Sequence, residues 1–100
     1  MMNIDGQWKL TAKSPMGLKT DDLEFKTIDG KLTGTQISEG LGTHRDLPVK
    51  VDGDTISWSV PVTKPMKLTL EFKLQVDGDS MSGTVKAGIF GNAPVSVVRA

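Results

Sequence analysis

The chain predicts an all-β fold: an eight-stranded antiparallel up-and-down β-barrel with Asp-Gly hairpin turns at one end. Three observations carry this expectation. A turn phrase recurs four times, as "IDGQW" at Ile4, "IDGKLTG" at Ile28, "VDGDTIS" at Val51 and "VDGDSMSG" at Val76. Its aspartates Asp5, Asp29, Asp52 and Asp77 lie 24, 23 and 25 residues apart, a period that fits two strands and two turns. Asp-Gly is a strong hairpin signal because a two-residue type I′ turn needs positive φ at both central positions. The segments between turns alternate apolar and polar with a period of two, which marks half-buried strands. Finally, two copies agree beyond the turn itself: "LEFKTIDGKLTGT" from Leu23 and "LEFKLQVDGDSMSGT" from Leu70.

The first strand sets Trp8, Leu10 and Ala12 on one face against Lys9, Thr11 and Lys13. The second sets Leu23 and Phe25 against Asp22, Glu24 and Lys26, and the third Leu32, Gly34 and Gln36 against Lys31, Thr33 and Thr35. Leu47, Val49 and Val51 define the fourth, and Ile56, Trp58, Val60 and Val62 the fifth. The sixth is the most regular, with Met66, Leu68, Leu70, Phe72, Leu74 and Val76 alternating against Lys67, Thr69, Glu71, Lys73 and Gln75. Met81, Gly83, Val85 and Ala87 mark the seventh, and Ala93, Val95, Val97 and Arg99 the eighth.

Register follows from the turns. A two-residue turn at Asp29-Gly30 pairs Phe25 with Gly34 and Leu23 with Gln36. The same turn at Asp52-Gly53 pairs Val49 with Ile56 and Leu47 with Trp58; at Asp77-Gly78 it pairs Leu74 with Met81 and Phe72 with Gly83. A three-residue loop would set apolar against polar, because a one-residue slip reverses every face; a four-residue loop preserves parity and stays open. Phenylalanine opposite glycine suggests a ring covering a backbone kink of the kind that helps a sheet curl. Closing the sheet removes its open edges. The Asp-Gly turns then gather at one end, and "SPMGLK", "SEGLGT", "TKP" and "AGIFGN" at the other, the mouth.

Gly6-Gln7-Trp8 opens the first strand and Arg99 lies near the end of the last. On these residues and the strand order the chain resembles the calycin barrels, the lipocalin and avidin (streptavidin-like) group. The resemblance implies that Trp8 packs near the closed end with Arg99 across it, giving Gly6, Trp8 and Arg99 a structural role. "GTVKAGIFGNAPV" also looks like the ending of small uncharacterised bacterial barrel proteins.

Composition narrows the function. One hundred residues suit a single domain spanning 1–100. The 12 basic and 12 acidic side chains cancel without clustering, so neither nucleic acid nor a membrane surface is an expected partner. Without cysteine there are no disulfides and no thiolate ligands. The turn aspartates lack the longer oxygen series of a calcium loop, so no metal or cofactor is expected. "MMNIDGQWKL" has no basic start before an apolar run, which points to a cytoplasmic protein.

An eight-stranded interior is either filled by side chains or holds one small ligand. The expected lining is Phe25, Gln36, Arg45, Trp58, Val60, Met66, Leu68, Val85 and Phe90, with Met16, Leu41 and Ile89 also at the mouth. Parity places Arg45 inward, where it and Gln36 would grip a carboxylate or carbonyl, and places His44 and Asp46 outward. The leading expectation is a non-enzymatic barrel binding a small apolar or aromatic molecule. One alternative is a small isomerase, cyclase or dehydratase using Arg45, His44 or Gln36 for polarisation. Another is an interaction protein with a filled core, monomeric or dimeric through outward Ile28, Ile37, Pro48 and Val98.

Overall fold

The alternating segments form strands in the computed structural model, which describes residues 4–14, 17–38, 42–62, 67–88 and 91–100. The strands are β1 (Gly6–Ser14), β2 (Gly17–Ile28), β3 (Lys31–Ser38), β4 (Gly42–Pro48) and β5 (Lys50–Asp52). They continue as β6 (Thr55–Val62), β7 (Leu68–Asp77), β8 (Ser80–Lys86) and β9 (Asn92–Arg99). All pair antiparallel in one sheet, in the order β4-β3-β2-β1-β9-β8-β7-β6-β5, which makes a nearly closed up-and-down barrel. The first and last strands zip together, with Trp8 opposite Arg99 and Leu10 opposite Val97.

Nine strands stand where eight are expected, because the expected fourth strand divides at Val49. Its first part pairs with β3 and its second with β6, so the barrel's one seam runs along this segment. The physical cause is local. Gly34 pairs with Leu47 but Gln36 with His44, so Arg45 and Asp46 together oppose Thr35 in a bulge, with Asp46 at φ +54°. Pro48 then has no N–H to extend the ladder, and Val49 N–H makes a last bond to the Leu32 carbonyl at 3.1 Å. Pro61 of β6 lies beyond the reach of β5, the edge position that proline tolerates.

The turns use the repeated phrase in two ways. Asp29 and Gly30 have φ of +51° and +77°, the type I′ pattern, and Phe25 pairs with Gly34 and Leu23 with Gln36 as expected. At the other two turns the loop residues are Gly53-Asp54 and Gly78-Asp79, because Asp52 pairs with Thr55 and Asp77 with Ser80. "DGD" contains both Asp-Gly and Gly-Asp, and the second reading seats glycine (φ +62° and +63°) at the first position of a type II′ turn. Val51 therefore faces Ile56, Val76 faces Met81, Leu74 faces Gly83 and Phe72 faces Val85, in place of the pairs expected from Asp-Gly turns. The displacement is two residues, so every inward side chain stays inward.

Trp8, Leu10, Leu23, Phe25, Ile56, Val60, Leu74, Met81 and Val97 fill the core and are almost wholly buried. At the turn end Trp8 Nε1–H donates to the Ile4 carbonyl at 2.9 Å, and the Arg99 guanidinium lies 4.3 Å from the Trp8 ring centroid. Arg99 also donates to Asp79 Oδ1 at 2.9 Å and to the Asp5 carbonyl at 3.2 Å. A Cβ on Gly6 would stand 3.2 Å from the Arg99 guanidinium, and Gly6 itself has φ +125°, so glycine serves both the conformation and the space. The Asp5 carboxylate accepts from Thr27 N–H and Oγ1–H, tying the start of β1 to β2. Replacing Arg99 with alanine removes the cation–π contact and these partly solvated bonds together. Arg99→Ala is expected to lower stability by about 1–2 kcal/mol, seen as a lower urea midpoint at unchanged m-value.

Candidate functional site

The mouth half of the barrel interior carries a short polar chain. Trp58 Nε1–H donates to Gln36 Oε1 at 3.1 Å, and Gln36 Nε2–H donates to Asp21 Oδ2 at 2.8 Å. All three side chains are buried. Alternation dictates their inward direction: Asp21 precedes Leu23 and Phe25 by the strand period, Gln36 follows Leu32 and Gly34, and Trp58 lies between Ile56 and Val60. Asp21 is four positions from the mouth end of β2, and Gln36 two positions from the mouth end of β3.

Below the chain lies an aromatic layer. Trp58 stacks on Phe72 with centroids 5.0 Å apart, and Phe25 meets it edge-on at 5.6 Å. The two Leu-Glu-Phe-Lys copies thus each supply a phenylalanine to the same indole. Two glycines among the small interior residues are closely covered. The Phe25 ring covers Gly34, with Cε1 3.3 Å from where a Cβ would be, and Gly83 abuts the backbone of Lys73 and Leu74.

The expected lining is only partly assembled. Phe25, Gln36, Trp58, Val60 and Val85 are inside and buried, and Leu68 is half-buried. Arg45 is exposed, not inward: the bulge pairs Gln36 with His44, so half-buried His44 takes the inner face that simple parity assigns to Arg45. Met66 and Phe90 lie outside the described residues, as do Met16, Leu41 and Ile89. Asp21 is the candidate site side chain that the sequence pattern does not single out. Its signal was available, since residues 21, 23 and 25 share one strand face.

The Asp21 carboxylate has two distinct oxygens. Oδ2 accepts from Gln36, and no other hydrogen bond or ion pair among the described residues reaches the group. Among the described residues no fully buried side-chain polar atom lacks a partner, so Oδ1 is not fully enclosed.

The two larger surface depressions among the described residues lie elsewhere. A groove of about 580 Å³ on the outer wall is bordered by Lys50, Lys73, Lys86, Ser57, Ser59 and Thr84. A crevice of about 600 Å³ opens at the turn end of the seam, between Ile4, Leu32, Val49 and Val51, with Asp5 and Lys31 at its edge. Ile28, Ile37 and Val98 are half-exposed, but Lys9 and Asp22, joined by an ion pair at 3.7 Å, stand between Val98 and Ile37 in the register. These apolar side chains therefore do not run together along that row. Among the described residues no group of three His, Cys, Asp or Glu could hold a metal ion, and no helix is long and apolar enough to cross a membrane. No protein-family model, curated protein or solved structure matches the chain.

Proposed function

We propose that the protein is a small-molecule-binding barrel of the calycin type that takes an apolar or aromatic guest at its mouth. The observation that carries this reading is the Trp58–Gln36–Asp21 chain. A barrel that needed only to be filled would be at least as stable with apolar residues there, since replacing buried charged groups by well-packed hydrophobic ones is often neutral or stabilising. A polar chain that begins on a packed aromatic layer and ends on a carboxylate oxygen that is not fully enclosed offers a guest one oriented polar atom at the mouth. The Trp8–Arg99 contact beside Gly6 supports the calycin reading, because it is the closed-end arrangement that the resemblance implies.

Titration with Prodan, a neutral solvatochromic naphthalene dye, tests the binding reading. Saturable one-to-one binding with a blue-shifted emission is expected, together with a changed chemical shift for the Trp58 indole N–H and an unchanged one for Trp8 at the opposite end. Emission that rises linearly with dye, or a response confined to Trp8, would remove the proposal.

A further inference from the structure

Asp21 is nine-tenths buried, and its one hydrogen-bond partner among the described residues is an uncharged amide. The three ion pairs among the described residues join Lys9 to Asp22, Lys26 to Glu24 and Arg99 to Asp79, so none involves Asp21. Lys19 shares its strand face two positions nearer the mouth, yet it is exposed and makes no ion pair.

The chain also has a fixed direction. An indole offers only a donor, so Trp58 orients Gln36 with its carbonyl toward the ring and its NH₂ toward Asp21. Every donor runs toward the carboxylate, and Oδ1 is left without a partner among the described residues. Buried carboxylates in proteins are ordinarily paired with a cation, because a neutral donor does not make up for the lost hydration. The hydrogen-bonded chain holds the carboxylate in place, and no cation among the described residues pairs with it.

We infer that the ligand supplies it: the guest is a protonated amine with an aromatic or apolar body, its ammonium on Asp21 Oδ1 and its body in the mouth half of the interior. The inference rests on the small-molecule reading above and gives that ligand a charge. It also reverses the sign expected from sequence. Both ends of the Gln36 amide are engaged and Arg45 is exposed, so neither group expected to grip an acidic guest is available inside, and that guest would meet the Asp21 carboxylate instead.

Three probes of similar size separate the possibilities by calorimetry at pH 7 and low salt: 2-phenylethylamine, 2-phenylethanol and 3-phenylpropionate. The amine is expected to bind one-to-one and roughly 10- to 100-fold more tightly than the alcohol, the range of a hydrogen bond to a charged group, with the acid weakest. Asp21→Asn preserves shape and an acceptor for Gln36, and should abolish the preference for the amine over the alcohol. Lys19→Ala should bind the amine at least as tightly as the native chain, because a competing rim ammonium is gone. The amine inference is overturned if the alcohol or the acid matches the amine, if folded Asp21→Asn keeps the preference, or if Lys19→Ala weakens amine binding. The native three-probe comparison stands even if Asp21→Asn does not fold. Failure of Prodan and all three probes to bind ends the small-molecule reading itself, whereas equal binding of amine and alcohol ends only the assignment of charge.

Discussion

Gly83→Ala should come close to unfolding the protein, although it adds a single methyl group. Gly83 lies on β8 opposite Leu74 of β7. A Cβ built there would stand 2.0 Å from the Lys73 carbonyl oxygen, 2.8 Å from Leu74 Cα and 2.9 Å from the Lys73 carbonyl carbon. All three are backbone atoms of a strand paired on both sides, so none can turn away as a side-chain tip would. The conflict is one of space, since the φ of Gly83 is not in the left-handed region. Overpacking alone typically costs about 1–3 kcal/mol, and forcing two paired strands apart places this case at about 4 kcal/mol or more. Small domains commonly have only about 5–15 kcal/mol in total. Gly34→Ala is the matched comparison. Its Cβ would meet Phe25 Cε1 at 3.3 Å and Val49 Cγ2 at 3.5 Å, which are side-chain atoms able to shift, so a cost of about 1 kcal/mol is expected. Urea denaturation of both variants checks the pair. A Gly83→Ala midpoint equal to or above that of Gly34→Ala would contradict the close approach of β8 to β7.

Much of this architecture can be read in the sequence because it depends on parity. The inward set running from Trp8 and Leu10 to Val95 and Val97 follows from alternation alone, and parity survives any even displacement of register. For the same reason the position of the Gly-Asp turns was not legible. "DGD" offers two hairpin dipeptides two-residue registers apart in pairing, and both keep Ile56, Leu74 and Met81 inside. The bulge at Arg45–Asp46 is harder still to read, because an extra residue exists only relative to a partner strand. Pro48 marks the site of the break in hindsight, and the reversal of His44 and Arg45 follows from it. The candidate site shows the opposite failure. Asp21 was in plain phase with Leu23 and Phe25, but an inward carboxylate makes no physical sense until its partners are known. Gln36 and Trp58 come from strands far apart in the sheet order, so their meeting is a property of closure.

Trp58 joins the core to that chain, and substitutions there should separate the two contributions. Trp58→Ala removes the ring between Phe25 and Phe72, for which a large aromatic cavity costs about 3–5 kcal/mol. It also leaves Gln36 Oε1 without its donor, a further cost of about 1–3 kcal/mol where water does not enter the space. Trp58→Phe keeps most of the apolar contact and loses the N–H, so about 1–3 kcal/mol is expected, mainly from the unpaired carbonyl. Gln36→Leu removes the middle link, leaving the Trp58 N–H and Asp21 Oδ2 both unpartnered. If the three side chains act as one hydrogen-bonded unit, Trp58→Phe and Gln36→Leu must be non-additive, because after either change the bond between them is already lost. The double variant should then be less destabilised than the sum of the singles by about 0.5–3 kcal/mol in urea denaturation. Strict additivity would mean that the Trp58–Gln36 bond contributes no coupling energy. It would also remove the reason for treating Asp21 as a carboxylate held in place from behind.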